Sequence, residues 1–422
     1  RVSLNMRLAD ELEKARLGEA EGVLLFIDMD DFKTVNDTFG HSAGDKVIVA
    51  AAQCLKKAFD EGAFVSHISG DEFIVIVSGN ATIEKATQLA RRALAKLCRE
   101  YDVVEKQIQL SASIGVVLYP QHGDMPEDLL KKADAAMYVA KAAGRNCWRF
   151  FEPELLKKTA EDTLLINSLR RALPRNEFFL QYKPQMTADG RTLVGLEALL
   201  RWNSPEHGFV SPARFIPLAE RSRLIVEIGQ WVFVQACCFA KKLADRGKSN
   251  LRVAVNISPR QIKDDDFVSR VRAVIEASGI LPEQIELEVT ETVLMENLDD
   301  GVPKLRELQK DGVNLALDDF GTGFSSLTYL RTLPVNCLKI DKSFIDGIAF
   351  DQMQMRFVES IINLGHTLEM EIVAEGVETK EQLEHLVNCR CDYIQGYVFS
   401  KPISEEEALE LCQGFSSSAK KE

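Results

Sequence analysis

Leu317-Asp318-Asp319-Phe320-Gly321-Thr322-Gly323-Phe324-Ser325-Ser326 sets two adjacent carboxylates at the end of an apolar run and follows them with a glycine turn. Val313 to Leu317 reads as a buried strand, and Ser325-Ser326-Leu327 can begin a helix, so the acid pair is expected at a strand's C-terminal mouth. Sheets and barrels of the α/β class keep their chemistry at that end. Two neighbouring aspartates repel each other unless a cation lies between them, and a divalent metal is the usual cation. Taken alone, the pair also reads as a solvated Asp-Asp turn.

The surrounding chain favours the metal. From about residue 164 onward, strand and helix patterns alternate as in a (β/α) barrel of about 250 residues. Polar residues recur where apolar strands end: Glu197 after Leu193 to Leu196, Asn256 after Val253 to Val255, and Glu288 after Ile285 and Leu287, which flank Glu286. Asp318 and Asp319 come next, then Lys339 after Cys337-Leu338, Glu375 after Ile372 to Ala374, and Gln395 after Ile394. One such residue is often only a loop hydrogen-bonder, but a series in register on successive strands converges on one barrel mouth. These types suit a two-metal hydrolase, in which ions roughly 3.5 to 4 Å apart clamp a phosphodiester and acidify a bridging water. Glu, Asn, Glu, Asp and Asp supply oxygen ligands for hard ions, and the absence of His and Cys ligands disfavours zinc. Lys339, among carboxylates, could orient the attacking water, take its proton, or serve as a structural counter-ion.

Residues 164 to 414 closely resemble the EAL family of cyclic di-GMP phosphodiesterases. The signature Glu197-Ala198-Leu199-Leu200-Arg201-Trp202 is intact, as are Asn256-Ile257-Ser258, Glu288-Val289-Thr290-Glu291, Asp318 to Leu327, Lys339-Ile340-Asp341, Glu375-Gly376-Val377-Glu378 and Gln395-Gly396-Tyr397. The resemblance implies that Glu197, Asn256, Glu288, Asp318 and Asp319 bind two Mg2+ or Mn2+ ions. Lys339, Glu375 and Gln395 would complete the site, with Glu375 and Gln395 also beside the metals, and Arg201 would hold a phosphate. Glu291 and Glu378 would support the site from behind, Glu291 through the loop Phe320 to Ser325. One departure is visible: the family's Tyr-Gln-Pro is Tyr182-Lys183-Pro184 here, so a substrate-side glutamine has become a cation.

Working towards the start of the chain, Phe151 to Asn167 is charged, contains Pro153 and passes into a helix; residues 153–163 are expected to be a linker. Before it, a helix over Leu12, Ala15 and Leu17 leads to the dense strand Val23 to Ile27, which ends in Asp28-Met29-Asp30-Asp31. Helices are expected over Phe32 to Phe39 and Lys46 to Phe59, separated by the polar break Gly40 to Asp45. Phe64 to Ile68 and Phe73 to Val77 form a hairpin around Ser69-Gly70-Asp71-Glu72. A helix near Ala81 to Cys98, a strand over Ile108 to Leu118, and a helix Leu129 to Ala142 running into Lys141 to Asn146 complete this half. Acids at Asp28 and Asp71 with cations at Lys141 and Arg145 are an inventory for a metal-bound nucleoside triphosphate.

This half resembles the GGDEF (diguanylate cyclase) family. The matching pieces are Phe26-Ile27-Asp28-Met29-Asp30-Asp31-Phe32-Lys33, Asn36-Asp37, Gly40-His41, Gly44-Asp45, Ser69-Gly70-Asp71-Glu72-Phe73 and Lys141 to Asn146. The resemblance implies that Asp28 and Asp71 hold one or two metal ions with GTP, that Asn36 and Asp45 read guanine, that Glu72 lies by the reacting ribose hydroxyl, and that Lys141 and Arg145 hold phosphates. Three departures bear on activity. Ser69 replaces the signature's first glycine, His67 replaces an arginine, and the inhibitory Arg-x-x-Asp is Asp60-Glu61-Gly62-Ala63. A serine would cost about 1 kcal/mol if that turn position needed a positive φ.

The expected architecture is therefore a nucleotidyl-cyclase-like α+β domain over 1–152, the linker 153–163, a (β/α)8 TIM-type barrel over 164–414 and a tail, 415–422. Its expected reaction is hydrolysis of cyclic di-GMP to linear pGpG, with the first domain binding GTP and regulating the barrel. A bifunctional enzyme that also joins two GTP, and a non-catalytic cyclic di-GMP receptor, are the alternatives. A net charge of −13 disfavours a non-specific DNA surface and leaves room for a small anion held by metals. Nine cysteines show neither zinc spacing nor a disulfide framework, and no apolar run approaches a membrane span, so a cytoplasmic setting is expected. The opening on Arg1 suggests a fragment lacking upstream sensor domains, and the resemblance implies a homodimer.

Overall fold

Val23-Leu24-Leu25-Phe26-Ile27 is apolar at every position because the strand containing it, β1 (Gly22–Met29), is buried on both faces. Val23, Leu25 and Ile27 enter one core, and Leu24 and Phe26 enter another. The first core packs beneath the helices His41–Ala58 and Ile83–Leu97, the second against Val2–Arg16 and Pro126–Ala142. The computed structural model describes residues 2–59, 62–79, 81–103, 106–291, 300–321 and 330–414. Arg1, the Asp60-Glu61 pair, the stretch Thr322 to Leu327 of the glycine turn and its expected helix start, and the tail 415–422 lie outside the described residues. The chain divides into two units, 1–163 and 164–422.

In the first unit β1 pairs antiparallel with β3 (Glu72–Ser78) on one side and β6 (Ala112–Tyr119) on the other. With β2 (Ala63–Ser69) and β7 (Trp148–Phe150) the sheet order is β2-β3-β1-β6-β7, while β4 (Arg99–Val103) and β5 (Lys106–Leu110) form a separate hairpin. The strand expected over Ile108 to Leu118 is thus two strands. Ser111 interrupts them, and its hydroxyl donates to Asp30 Oδ2 at 2.6 Å. The polar break expected from Gly40 to Asp45 shrinks to Gly40 alone, whose φ of 82° ends one helix before the next begins at His41. Position 44, inside that second helix, is glycine because a Cβ there would meet Asn36 Oδ1 at 2.0 Å. The segment expected as a linker forms the start of the helix Pro153–Ala172, with proline in the first turn, where its missing N–H costs nothing.

The second unit is a closed barrel of β8 (Phe178–Thr187), β9 (Leu193–Ser204), β11 (Arg252–Asn256), β12 (Ile285–Thr290), β13 (Asn314–Phe320), β14 (Cys337–Ile340), β15 (Glu371–Glu375) and β16 (Tyr393–Gln395), with β10 (Gly208–Val210) added to the edge of β9. Neighbours from β9 to β16 run parallel around the ring, but β8 is antiparallel to both β9 and β16. A parallel β8–β9 pair would need a crossover of a dozen or more residues. Only Ala188 to Thr192 joins them, with Gly190 at a φ of 70°, so a hairpin is the available connection. Leu196, Val253, Leu287, Leu315, Leu338, Ile372 and Ile394 share one core. Among the described residues no helix is long and apolar enough to cross a membrane.

Candidate functional site

Parallel register carries the barrel's polar residues to one end. Asn256 pairs beside Glu288, Thr290 beside Asp318, and Glu375 beside Gln395. Asn256, Glu375 and Gln395 end their strands, as expected from sequence. Glu197 does not: it lies inside the twelve-residue β9, which continues through Arg201 and Trp202 because the apolar run is prolonged by pairing with β8 and β10. Its carboxylate is nevertheless held in the cluster, accepting hydrogen bonds from Asn256 Nδ2 at 2.8 Å and Gln395 Nε2 at 2.5 Å.

Adjacent residues of a regular strand point to opposite faces, which would turn one of Asp318 and Asp319 away. The structure avoids this with a register shift between Leu317 and Phe320 and a φ of 52° at Asp319. Aspartate tolerates that left-handed conformation better than most residues. The Asp319 N–H donates to Asp318 Oδ1 at 2.9 Å, and oxygens of Asp318, Asp319 and Glu375 lie within 4.8 Å of one another, a grouping that could hold a metal ion.

Lys339 is fully buried among these acids. Its Nζ lies 2.6 Å from Glu288 Oε1, 2.7 Å from Glu375 Oε1, 3.4 Å from Asp318 Oδ1 and 4.0 Å from Glu197 Oε1. Burial alone would lower its pKa, yet the four carboxylates raise it well above the ordinary lysine value. Burial drives Glu288 well up against the pull of Lys339, and carries Glu375 to about 7 and Asp319 to about 6, the latter with help from Asp318. Glu197 shifts down: burial opposes it, but Lys339, Lys183, Gln395 and Asn256 together outweigh burial. Apart from the Lys339 ion pair, neither Glu288 oxygen finds a hydrogen-bond donor among the described residues, and neither does Gln395 Oε1. Unpartnered buried oxygens in an all-oxygen, acid-rich cluster fit a hard divalent cation.

Arg201 Nε donates to Gln181 Oε1 at 2.8 Å and its Nη1 to the Leu200 carbonyl at 3.0 Å, so Gln181, which sequence did not single out, fixes the guanidinium. Lys183 on β8 stands directly opposite Glu197. Glu291 is buried, with both oxygens lacking a hydrogen-bond donor among the described residues. Glu378 is not gathered into the cluster; it pairs with Lys342 near the surface. Glu286, two residues before Glu288 and on the same face of β12, pairs with Arg252 at 3.3 Å, and Arg252 reaches Glu371 at 2.7 Å.

The first unit assembles a second acidic site. Asp28, at the end of β1, is opposite Glu72, and the Met29 N–H donates to the Asp71 carbonyl at 3.1 Å. Burial raises Asp28 to about 6, although Lys141 Nζ sits 2.7 Å from its Oδ2, and burial also raises Asp71. Asp28 Oδ1 is buried without a hydrogen-bond donor among the described residues, which again suits a cation. Asn36 packs at Gly44, next to the exposed Asp45, and Arg145 lies 3.9 Å from Asp31. Asp30, passed over in the sequence, is a framework residue: it accepts from Ser111 Oγ, Ser113 Oγ and the Asn146 N–H. Gly70 takes the positive φ, 54°, whereas Ser69 does not, so the condition under which a serine would be strained is not met. Ser69 Oγ instead donates to Glu72 Oε2 at 3.1 Å, and His67 Nε2 lies 2.9 Å from the Gly70 carbonyl.

Residues 1–147 match the family described as diguanylate cyclase, GGDEF domain, and residues 166–402 match the EAL domain. The chain is 38% identical over 409 residues to the bifunctional diguanylate cyclase/cyclic di-GMP phosphodiesterase MucR of Pseudomonas aeruginosa, an alignment covering 97% of this chain and 60% of the relative. It is 37% identical over 403 residues to the cyclic di-GMP phosphodiesterase NbdA of the same organism, covering 96% of this chain and 51% of the relative. The chain thus spans less than two thirds of either relative's length. Among solved structures, the PaMucR phosphodiesterase in a c-di-GMP complex is 41% identical with a TM-score of 0.56, covering 58% of this chain and 99% of that one. The EAL enzyme Bd1971 in its cAMP- and cyclic-di-GMP-bound form is 31% identical with a TM-score of 0.58, covering 73% of this chain and 82% of that one.

Proposed function

Because this chain belongs to the EAL domain family and carries a GGDEF domain ahead of its barrel, we propose that the barrel hydrolyses cyclic di-GMP to linear pGpG. The observation that carries this reading is the convergence of Glu197, Glu288, Asp318, Asp319 and Glu375 on one mouth, with three of them grouped closely enough to share an ion. Glu197, Asn256, Glu288, Asp318 and Asp319 would hold Mg2+ or Mn2+, with Glu375 and Gln395 beside them. When bound, such ions polarise the phosphodiester and supply hydroxide near neutral pH. Asn256 and Gln395 aim the Glu197 carboxylate, and Arg201, braced by Gln181, offers a planar fork to a phosphate. Its contacts with Glu288 and Glu375 suit Lys339 to orienting a water or balancing charge. The intact acid set weighs against a purely non-catalytic receptor.

In the first domain Asp28 and Asp71 would hold a metal with GTP, Asn36 and Asp45 would read guanine, and Lys141 and Arg145 would meet phosphates; GTP binding there would regulate the barrel. A second reading, in which this domain also joins two GTP into cyclic di-GMP, is favoured by two observations: Ser69 sits in the turn without left-handed strain, and Glu72 faces Asp28. Such synthesis requires two first domains face to face, hence at least a dimer. A cytoplasmic setting and upstream sensor domains belong to the same proposal. Incubating the purified chain separately with cyclic di-GMP and with GTP, with Mg2+ or Mn2+, and separating the products tests both readings. Linear pGpG from the first substrate supports the main reading, and new cyclic di-GMP from the second supports the bifunctional one; intact cyclic di-GMP in every condition contradicts the main reading.

A further inference from the structure

The cation at position 183 stands where its charge bears on the acids of the barrel mouth. In the antiparallel pair β8–β9, Lys183 is directly opposite Glu197, and directly opposed residues share a face of the sheet. The side chain is half-buried, so solvent screens its charge less than that of a surface lysine. No direct ion pair with a carboxylate consumes that charge among the described residues, in contrast to Lys339, which is in contact with Glu288 and Glu375. The influence of Lys183 nonetheless reaches the cluster, since both Glu197 and Glu375 are pulled down by it.

We infer that Lys183 weakens the grip of the barrel mouth on divalent ions and ties that grip to the presence of substrate phosphate. The inference rests on the metal-dependent reading of the barrel. Glu197, Glu288, Asp318 and Glu375 already share one buried ammonium, Lys339. A second fixed positive charge on the same face repels an incoming divalent ion with twice the force it exerts on a monovalent one. A phosphodiester bound at the mouth pairs with Lys183 and cancels that repulsion, so substrate tightens metal binding and, by reciprocity, metal tightens substrate binding. A neutral residue at this position would leave the ions held firmly with or without substrate.

The test is a calorimetric Mn2+ titration of the full chain carrying Asp28→Asn and Asp71→Asn, which removes both expected metal ligands of the first domain. Four proteins are compared: Lys183 retained, Lys183→Gln, Lys183→Met and Lys183→Arg. The inference predicts that the Gln and Met variants bind Mn2+ about tenfold more tightly and that the Arg variant stays within about twofold of the parent. It also predicts that a non-hydrolysable phosphodiester dinucleotide tightens Mn2+ binding in the parent more than in the Met variant. Unchanged or weaker binding in both neutral variants, with saturable binding intact, overturns this inference alone. Equal tightening in the Arg variant assigns the effect to packing and overturns it as well. Absence of saturable Mn2+ binding in all four overturns the metal reading of the barrel, and this inference with it.

Discussion

Lys339 and Glu288 are each fully withdrawn from water, and neither is tolerable there without the other. The ammonium lies within 4.0 Å of oxygens from four acids, so removing it leaves a buried, uncompensated negative cluster. Lys339→Met is therefore expected to destabilise the barrel by about 3 kcal/mol in chelator, a cost typical of stripping one partner from a buried ion pair. Added Mn2+ should recover much of that loss, because an ion that binds only the folded state stabilises it. Urea unfolding with and without Mn2+ checks both parts; an unchanged midpoint in chelator would show that protonation of the acids already replaces the lysine. At the same scale, Gly70→Ala should cost about 1 kcal/mol because Gly70, not Ser69, occupies the left-handed position. Ser69→Gly should change stability by less than that, and a larger loss from Ser69→Gly would contradict the assigned turn.

Single elements decide whether residues legible in the sequence can act together. The Asp318-Asp319 pair was readable as a strand-end acid pair, but period-two alternation alone would have divided it between two faces. What joins the pair is the bulge in β13 and the left-handed Asp319, a backbone property that no residue type announces. Asp319→Asn should keep the fold, since asparagine tolerates this φ, while weakening Mn2+ binding at least tenfold. Asp319→Val should add a loss of about 1–3 kcal/mol in stability, because a β-branched residue is strained there. Equal stability of the two variants, measured by urea unfolding, would mean that Asp319 does not need its positive φ. The antiparallel β8 had a visible cue in the short Ala188-Asp189-Gly190-Arg191-Thr192 turn, which the repeating strand-helix pattern masked. Glu378, which the family resemblance set behind the site, pairs with Lys342, and both side chains are partly exposed.

Across the whole molecule, the order of the two domains and most acids of both sites were legible, because strand-end carboxylates follow apolar runs that periodicity exposes. Less legible were the side chains that brace them, such as Gln181 behind Arg201 and Asp30 beneath Ser111 and Ser113, because their role depends on contacts across distant strands. Coupling between the domains is a separate part of the proposal that GTP binds the first. A ligand shifts activity only if the active arrangement binds it more tightly, and the effect is then reciprocal. GTP is expected to raise the phosphodiesterase turnover or lower its KM. Asp45→Ala should erase that response and leave basal hydrolysis unchanged. Initial rates with and without GTP check this, and a rate indifferent to GTP would leave the first domain without a regulatory role.

The central claim, that the acid cluster of the barrel cleaves cyclic di-GMP through bound divalent ions, is tested most directly by the rate of pGpG formation by the wild-type chain and by Asp318→Asn. The account predicts that EDTA stops the wild-type reaction, that Mg2+ or Mn2+ restores it, and that Ca2+, with its looser and longer coordination, does not. It further predicts that Asp318→Asn, folded but missing one ligand charge, keeps less than about a tenth of the wild-type rate, a barrier increase above about 1.4 kcal/mol. Full turnover in EDTA, or an Asp318→Asn rate above that tenth, would contradict it.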